Sequence, residues 1–283
     1  MTNPVLFPAP RDRLRERRVN IGGRCLAMVG SGNFSPTVIL ETGLGAESAE
    51  WDAVQQGIEP FARVLRYDRA GRGRSDPAPR PRTASDMVDD LHRLVERAEV
   101  HGPFVLVGHS FGGLLVRLYA HRYRADAAGL VLVDSLHEDQ FEVVGRVLPP
   151  PAPDDPPALQ AFRRFWTDTW RDPSANAEGI DLPTSLAQGR KLRSLGELPI
   201  QVLSAGNVVD EPLAPEPMRR RMQELHEGLQ RSFLQLSPRA VHSVVAGSGH
   251  FIQRDAPRAI VAAVSSVVAA VRAAPRPRRD LAR

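Results

Sequence analysis

The chain has 283 residues, 42% hydrophobic and 25% charged, with a formal net charge of +4. That length can bury a substantial core in one large domain or two small ones, and no apolar run approaches the ~20 residues of a bilayer-spanning helix, so no membrane partner is expected. The positive charge comes almost wholly from arginines that are scattered along the chain and not interleaved with aromatics, which excludes a nucleic-acid footprint and reads as solvated surface.

Met1 to Pro10 runs into Arg11, Arg13, Arg15, Arg17 and Arg18 without an apolar core, so it does not read as a signal peptide. Cys25 is the single cysteine; it allows no internal disulfide and fits a reducing compartment, which makes the cytoplasm the expected location. Val19 and Ile21, then Cys25, Ala27 and Val29, alternate about Gly22-Gly23 as an opening hairpin would. Residues 36–41 form a buried-type strand that ends in Thr42-Gly43-Leu44-Gly45, residues 48–58 a short helix, and residues 62–67 a further strand. Thr83 and Asp86 form a pair like a capping box ahead of Met87, Leu91, Leu94 and Val95 at helical spacing. Phe104 to Val107 is another apolar strand, followed by a helix to about Asp126 and by the strand Gly129 to Val133.

From about Ser135 to Glu197 the chain is rich in Pro and Asp, with helical fragments and no strand. Pro199 to Ser204 resumes the sheet, Pro217 to Leu236 is a helix, and Ala240 to Val245 is a last strand. Asp255-Ala256-Pro257 then opens a final helix on Ile260, Val264, Val267 and Val271. Continuous apolar strands alternating with helices predict an α/β fold with a mostly parallel sheet covered on both faces. The core is expected from 1–134 and 198–274, a helical cap from 135–197, and a disordered basic tail from 275–283. The cap falls at the carboxyl edge of the sheet, where open α/β sheets bind ligands.

Gly108-His109-Ser110-Phe111-Gly112 lies directly behind one of these strands and directly before a helix. This is the setting of a nucleophile elbow, in which a serine is held exposed on a sharp turn and glycines two residues away remove crowding Cβ atoms. His250, framed by Gly247 and Gly249, is the candidate base, and an imidazole with an ordinary pKa of ~6.5 moves protons in both directions near neutrality. His137 and His242, near strand ends, are alternatives, while His109 is expected to point away from Ser110. Together with Thr42 to Gly45 and Tyr67-Asp68-Arg69-Ala70-Gly71-Arg72-Gly73-Arg74-Ser75, these segments make the chain from about Val19 to Val271 resemble an α/β-hydrolase.

The resemblance implies an eight-stranded sheet with its cap inserted after the sixth strand, and Ser110 as nucleophile. Chain order serine, acid, histidine leaves two candidate acids, Asp134 after one strand and Asp210 after the next; family members use either place. Asp210 is one residue further from Gly206 than the usual spacing, and Asp134 opens a segment like that of a variant subgroup, so Asp134 is favoured. The amides of Phe111 and Leu44 are the expected oxyanion donors, and Asp68, Arg69 and Ser75 read as structural support. Phe162, Phe165, Trp166 and Trp170 recur on one face of the cap and are candidates to line a substrate pocket. No metal-ligand cluster, phosphate loop or dinucleotide fingerprint appears, so no cofactor is expected. The predicted activity is hydrolysis of a small, largely apolar ester or lactone through an acyl-enzyme, with a small molecule as the partner. An amidase, a C–C bond hydrolase, an aminopeptidase using Glu138 and Asp139 to hold an α-amine, and a non-catalytic binding protein remain the alternatives.

Overall fold

In the computed structural model, which describes residues 15–148, 150–209 and 216–274, eight strands form one sheet. They are β1 (Arg15–Asn20), β2 (Cys25–Ser31), β3 (Thr37–Glu41), β4 (Arg63–Tyr67), β5 (Phe104–His109), β6 (Ala127–Val133), β7 (Ile200–Ala205) and β8 (Ala240–Val245). Their spatial order is β1-β2-β4-β3-β5-β6-β7-β8. β1 and β2 make the antiparallel hairpin and β2 pairs antiparallel with β4; every pairing from β4 to β8 is parallel.

The continuous apolar runs of the central strands follow from burial on both faces, because successive side chains of a strand point to opposite sides. Phe104 and Leu106 of β5 join Leu130 and Leu132 of β6 in a core with α2 (Ala84–Arg97) and α3 (Phe111–Arg122). Val105 and Val107, with Val131 and Val133, pack on the other side against α1 (Asp52–Ile58) and α8 (Pro257–Ala273). The Thr83–Asp86 capping box that starts α2 is present in both directions. Two expected helices are divided: a 3₁₀ turn over Ser48–Trp51 precedes α1, and α7 (Glu216–Ser232) tightens into a 3₁₀ turn over Phe233–Leu236.

Between β6 and β7 the chain forms α4 (Gln140–Gly145), α5 (Pro157–Thr167) and α6 (Leu182–Gly189), with two 3₁₀ turns between α5 and α6. This insertion is tied to the core by an isolated parallel bridge between Arg82 and Ile180. Among the described residues no helix is long and apolar enough to cross a membrane. The Met1–Pro10 segment, the basic tail and Asp210 lie outside the described residues.

Candidate active site

Ser110 occupies the single residue between β5 and α3, at φ 52°, in the left-handed region that non-glycine residues seldom adopt. The turn is possible because the residues two positions to either side, Gly108 and Gly112, lack side chains. A Cβ on Gly108 would lie 2.4 Å from the Gly112 carbonyl oxygen, and one on Gly112 would lie 2.5 Å from the carbonyl oxygens of Glu41 and Thr42. Backbone hydrogen bonds brace the turn to the neighbouring strand: the Ser110 amide donates to the Val133 carbonyl, 3.1 Å, and the Leu136 amide donates to the Ser110 carbonyl, 2.8 Å.

Asp134 follows β6 directly and also sits at positive φ, 42°. Its amide donates to the Leu203 carbonyl of β7, 2.7 Å, so the turn that carries it is stitched to the strands on both sides. The carboxylate is buried and accepts three hydrogen bonds. His250 Nδ1 donates to Oδ2 at 2.6 Å, while His226 Nε2 at 2.6 Å and the Ala205 amide at 2.8 Å donate to Oδ1. Burial alone pushes such a carboxyl up; the bonds from His226 and His250 outweigh it and hold Asp134 well below the usual carboxylate range.

His250 is held from its backbone as well. His109, buried beside it, donates from Nε2 to the His250 carbonyl, 2.8 Å, and accepts at Nδ1 from the Gln253 amide, 3.2 Å. Burial and the nearby His250 ring lower the His109 pKa to about 3, so it stays neutral and keeps this tautomer. The His109 ring does not turn wholly away from Ser110: it forms part of the same cavity wall, because the elbow directs it under the loop that carries His250.

Across from Ser110 lies the turn Thr42-Gly43-Leu44-Gly45. A Cβ on Gly43 would come within 2.9 Å of His109 Nδ1 and 3.4 Å of Ser110 Cβ, so glycine is what lets this turn approach the elbow. Ser110, His250, Leu44 and Phe111 line one cavity of about 360 Å³. Its walls are mainly apolar and come from the insertion and from α7, including Phe141, Phe165, Trp166, Met222 and Leu229. Among the described residues no group of three or more histidine, cysteine or acidic side chains is placed to hold a metal ion.

Of the four aromatic residues expected in the pocket, the structure brings Phe165 and Trp166 to the cavity and leaves two out. Phe162 packs instead with Val144, Val209 and Met222, one helical turn before Trp166. Trp170 lies past the end of α5, buried and stacked on Phe141 with ring centroids 4.5 Å apart. The spacing predicts one helical face for all four, but the helix stops at Thr167. His137 and His242 are away from Ser110: His137 Nε2 hydrogen bonds with Ser232, 3.0 Å, and His242 Nε2 with Ser204, 2.8 Å. The contribution of His226 is one that sequence reasoning misses. It sits on α7, and its only local signal is a histidine on the half-apolar face that also carries Met222 and Leu229.

A sequence profile for the alpha/beta hydrolase fold matches residues 36–256. The uncharacterized protein YqjL of Bacillus subtilis is 27% identical over 238 residues, covering 83% of this chain and 85% of that protein. The protein efuK of Hormonema carpetanum is 34% identical over 131 residues, which is 41% of this chain and only 19% of that longer protein. Among solved structures, a thermophilic esterase from Thermogutta terrifontis superposes with a TM-score of 0.60 at 21% identity, over 91% of this chain and 99% of the other.

Proposed function

Because the chain belongs to the alpha/beta hydrolase fold family, we propose that it hydrolyses a small, largely apolar carboxylic ester or lactone through a covalent acyl-enzyme, without a cofactor. The Ser110 hydroxyl attacks the carbonyl carbon while His250 Nε2 takes its proton. The negative charge that develops on the carbonyl oxygen is met by the amides of Phe111 and Leu44. Collapse of this intermediate expels the alcohol, which recovers the proton from His250, and water repeats the sequence on the acyl-serine. Asp134 keeps the His250 proton on Nδ1, so that Nε2 presents a lone pair to the serine.

The observation that carries this reading is the 2.6 Å contact of Asp134 with His250 Nδ1 beside a cavity that Ser110 also lines. The apolar walls favour an apolar acyl or alcohol group. Glu138 and Asp139 do not favour an aminopeptidase: they pair with Arg117 and Arg190, and neither lines this cavity. The test is a fluorophosphonate probe together with a panel of 4-nitrophenyl esters and lactones of increasing length. Labelling and turnover are expected for the wild type and not for Ser110→Ala. Folded wild type that neither labels nor turns over any ester would refute the assignment.

A further inference from the structure

Behind the turn that bears Leu44 lies a buried guanidinium. Arg69 is 2% exposed and its donors all have partners. Nη1 donates to Glu41 Oε1 at 2.6 Å, to the Thr42 carbonyl at 2.7 Å and to the Thr42 hydroxyl at 3.0 Å. Nη2 donates to the Gly43 carbonyl at 2.5 Å. Nε and Nη2 together grip Glu178, at 2.8 and 2.6 Å, in the two-pronged geometry that fixes both planes. Glu178 Oε1 also accepts the Gly45 amide, 2.6 Å. Both ends of the four-residue turn are therefore held from one side.

Glu178 belongs to the insertion, more than a hundred residues from Arg69 in sequence. Its segment is anchored: the Arg82 amide donates to the Gly179 carbonyl, 2.9 Å, and the Asp181 amide to the Arg82 carbonyl, 2.8 Å. Asn176 Oδ1 accepts the amides of Glu178 and Ile180. The carboxylate is thus presented to Arg69 by a fixed backbone.

The Gly43–Leu44 peptide is trans, so its carbonyl and its N–H point in opposite directions across one plane. A donor that captures the carbonyl on one side aims the N–H at the other. Gly43 Cα faces Ser110, Leu44 lines the cavity, and among the described residues the Leu44 amide donates to no acceptor. If that peptide turned over, a carbonyl oxygen would face the developing oxyanion in place of a donor.

We propose that Arg69 and Glu178 are positioning residues for the oxyanion hole: the guanidinium pins the Gly43 carbonyl and thereby aims the Leu44 amide at the reacting centre, and the carboxylate of the insertion holds the guanidinium in place. The insertion then does more than cover the pocket, since it supplies the last support of a catalytic donor. This rests on the reading of Leu44 as an oxyanion donor in an acyl-transfer site.

The test compares wild type, Ser110→Ala, Glu178→Gln and Glu178→Asp on the best ester of the panel, with melting curves for each. Glu178→Gln is isosteric and leaves Arg69 balanced by Glu41, but its amide turns a donor toward the guanidinium. Between ten- and a thousandfold loss in kcat is expected, with KM within threefold, the scale on which a lost or misaimed oxyanion donor acts. Affinity for an alkyl boronic acid, which forms the tetrahedral adduct, should fall in parallel with kcat/KM; a support that only packed the fold would not link these two quantities. Glu178→Asp keeps the charge with a shorter reach and should lose less in kcat. If the Gln variant gives no cooperative melting transition, the Asp variant is read against the same criteria. A folded variant with kcat and boronate affinity within twofold of wild type overturns the positioning role while ester turnover that depends on Ser110 still stands. Absence of Ser110-dependent turnover in the wild type overturns both.

Discussion

Asp134→Asn separates the proposed roles most sharply, because the structure dictates which way the new amide faces. Oδ1 accepts from both His226 and the Ala205 amide, and only an oxygen can occupy that place without setting donor against donor. The amide nitrogen therefore falls where Oδ2 now receives His250 Nδ1. Facing a donor, His250 must turn its Nδ1 lone pair toward the new amide and carry its proton on Nε2, so it can no longer accept a proton from Ser110. An imidazole held in the wrong tautomer of such a triad costs on the order of 10⁴ in kcat, about 5 kcal/mol of transition-state stabilisation. The shape of the site is retained, so KM should change by less than about fivefold and fluorophosphonate labelling should slow in proportion to kcat. The assay is steady-state ester hydrolysis at pH 7–8 with circular dichroism to show folding, and Asp210→Asn is the control, expected within about threefold of wild type. A folded Asp134→Asn enzyme that loses less than tenfold in kcat would contradict the argument, and a large loss in Asp210→Asn would transfer the role to that residue.

Three further outcomes are expected. His226→Phe removes one of three donors to a buried carboxylate, and a hydrogen bond to a charged group is worth about 1.5–3 kcal/mol; kcat should drop about tenfold and the urea midpoint should fall, with His226→Gln recovering much of both. His109 has a folded pKa of about 3, below its unfolded value, so the unfolded chain binds the extra proton and the stability from this group, fully present above ~6.5, is lost as pH falls from there toward 3, at about 1.4 kcal/mol per pH unit. Urea unfolding at pH 7, 6 and 5 should accordingly show a shallower pH dependence for His109→Gln than for wild type, and equal slopes would count against the buried neutral state. Trp166→Ala should shift the preferred acyl chain to greater length in the ester panel, whereas Phe162→Ala, which is packed with Val144 and Met222, should leave that preference alone and lower stability by about 1 kcal/mol or more.

The sheet is legible in the sequence because the central strands are apolar on both faces and, from β3 onward, helices bridge the gaps between successive strands, α2 with a start signal in the Thr83–Asp86 box. Ser110 is legible for a local reason: the glycines that the turn requires lie within three residues of it. The pocket is not, because its walls are assembled from segments whose spacing carries no joint signal. Phe141 precedes Phe165 by a stretch with no regular period, and Met222 and His226 sit on a helix that reads, in isolation, as an ordinary amphipathic surface helix. Trp170 is misplaced by its spacing for a related reason. Helical periodicity continues in the sequence beyond the point where Asp168, at φ −142°, ends the helix. Arg69 reads from sequence as support for the sheet edge, and the missing information is Glu178, whose approach depends on the bridge between Arg82 and Ile180.

Placing the proposed acid, Asp134, after β6 accounts for several of these features together. β5 and β6 are hydrogen-bonded neighbours, so Ser110 and Asp134 leave the sheet side by side, and the same Val133 carbonyl that precedes Asp134 receives the Ser110 amide. Two left-handed residues in adjacent turns carry strain of about 1–3 kcal/mol each, and the cross-strand bonds fix both at once. In that position the Asp134 carboxylate is buried, and donors beyond His250 reach it from the end of β7 and from α7 through the Ala205 amide and His226. Val208 from the loop after β7 and Met222 from α7 line the cavity, which would place determinants of substrate shape on elements other than the two turns that carry Ser110 and Asp134.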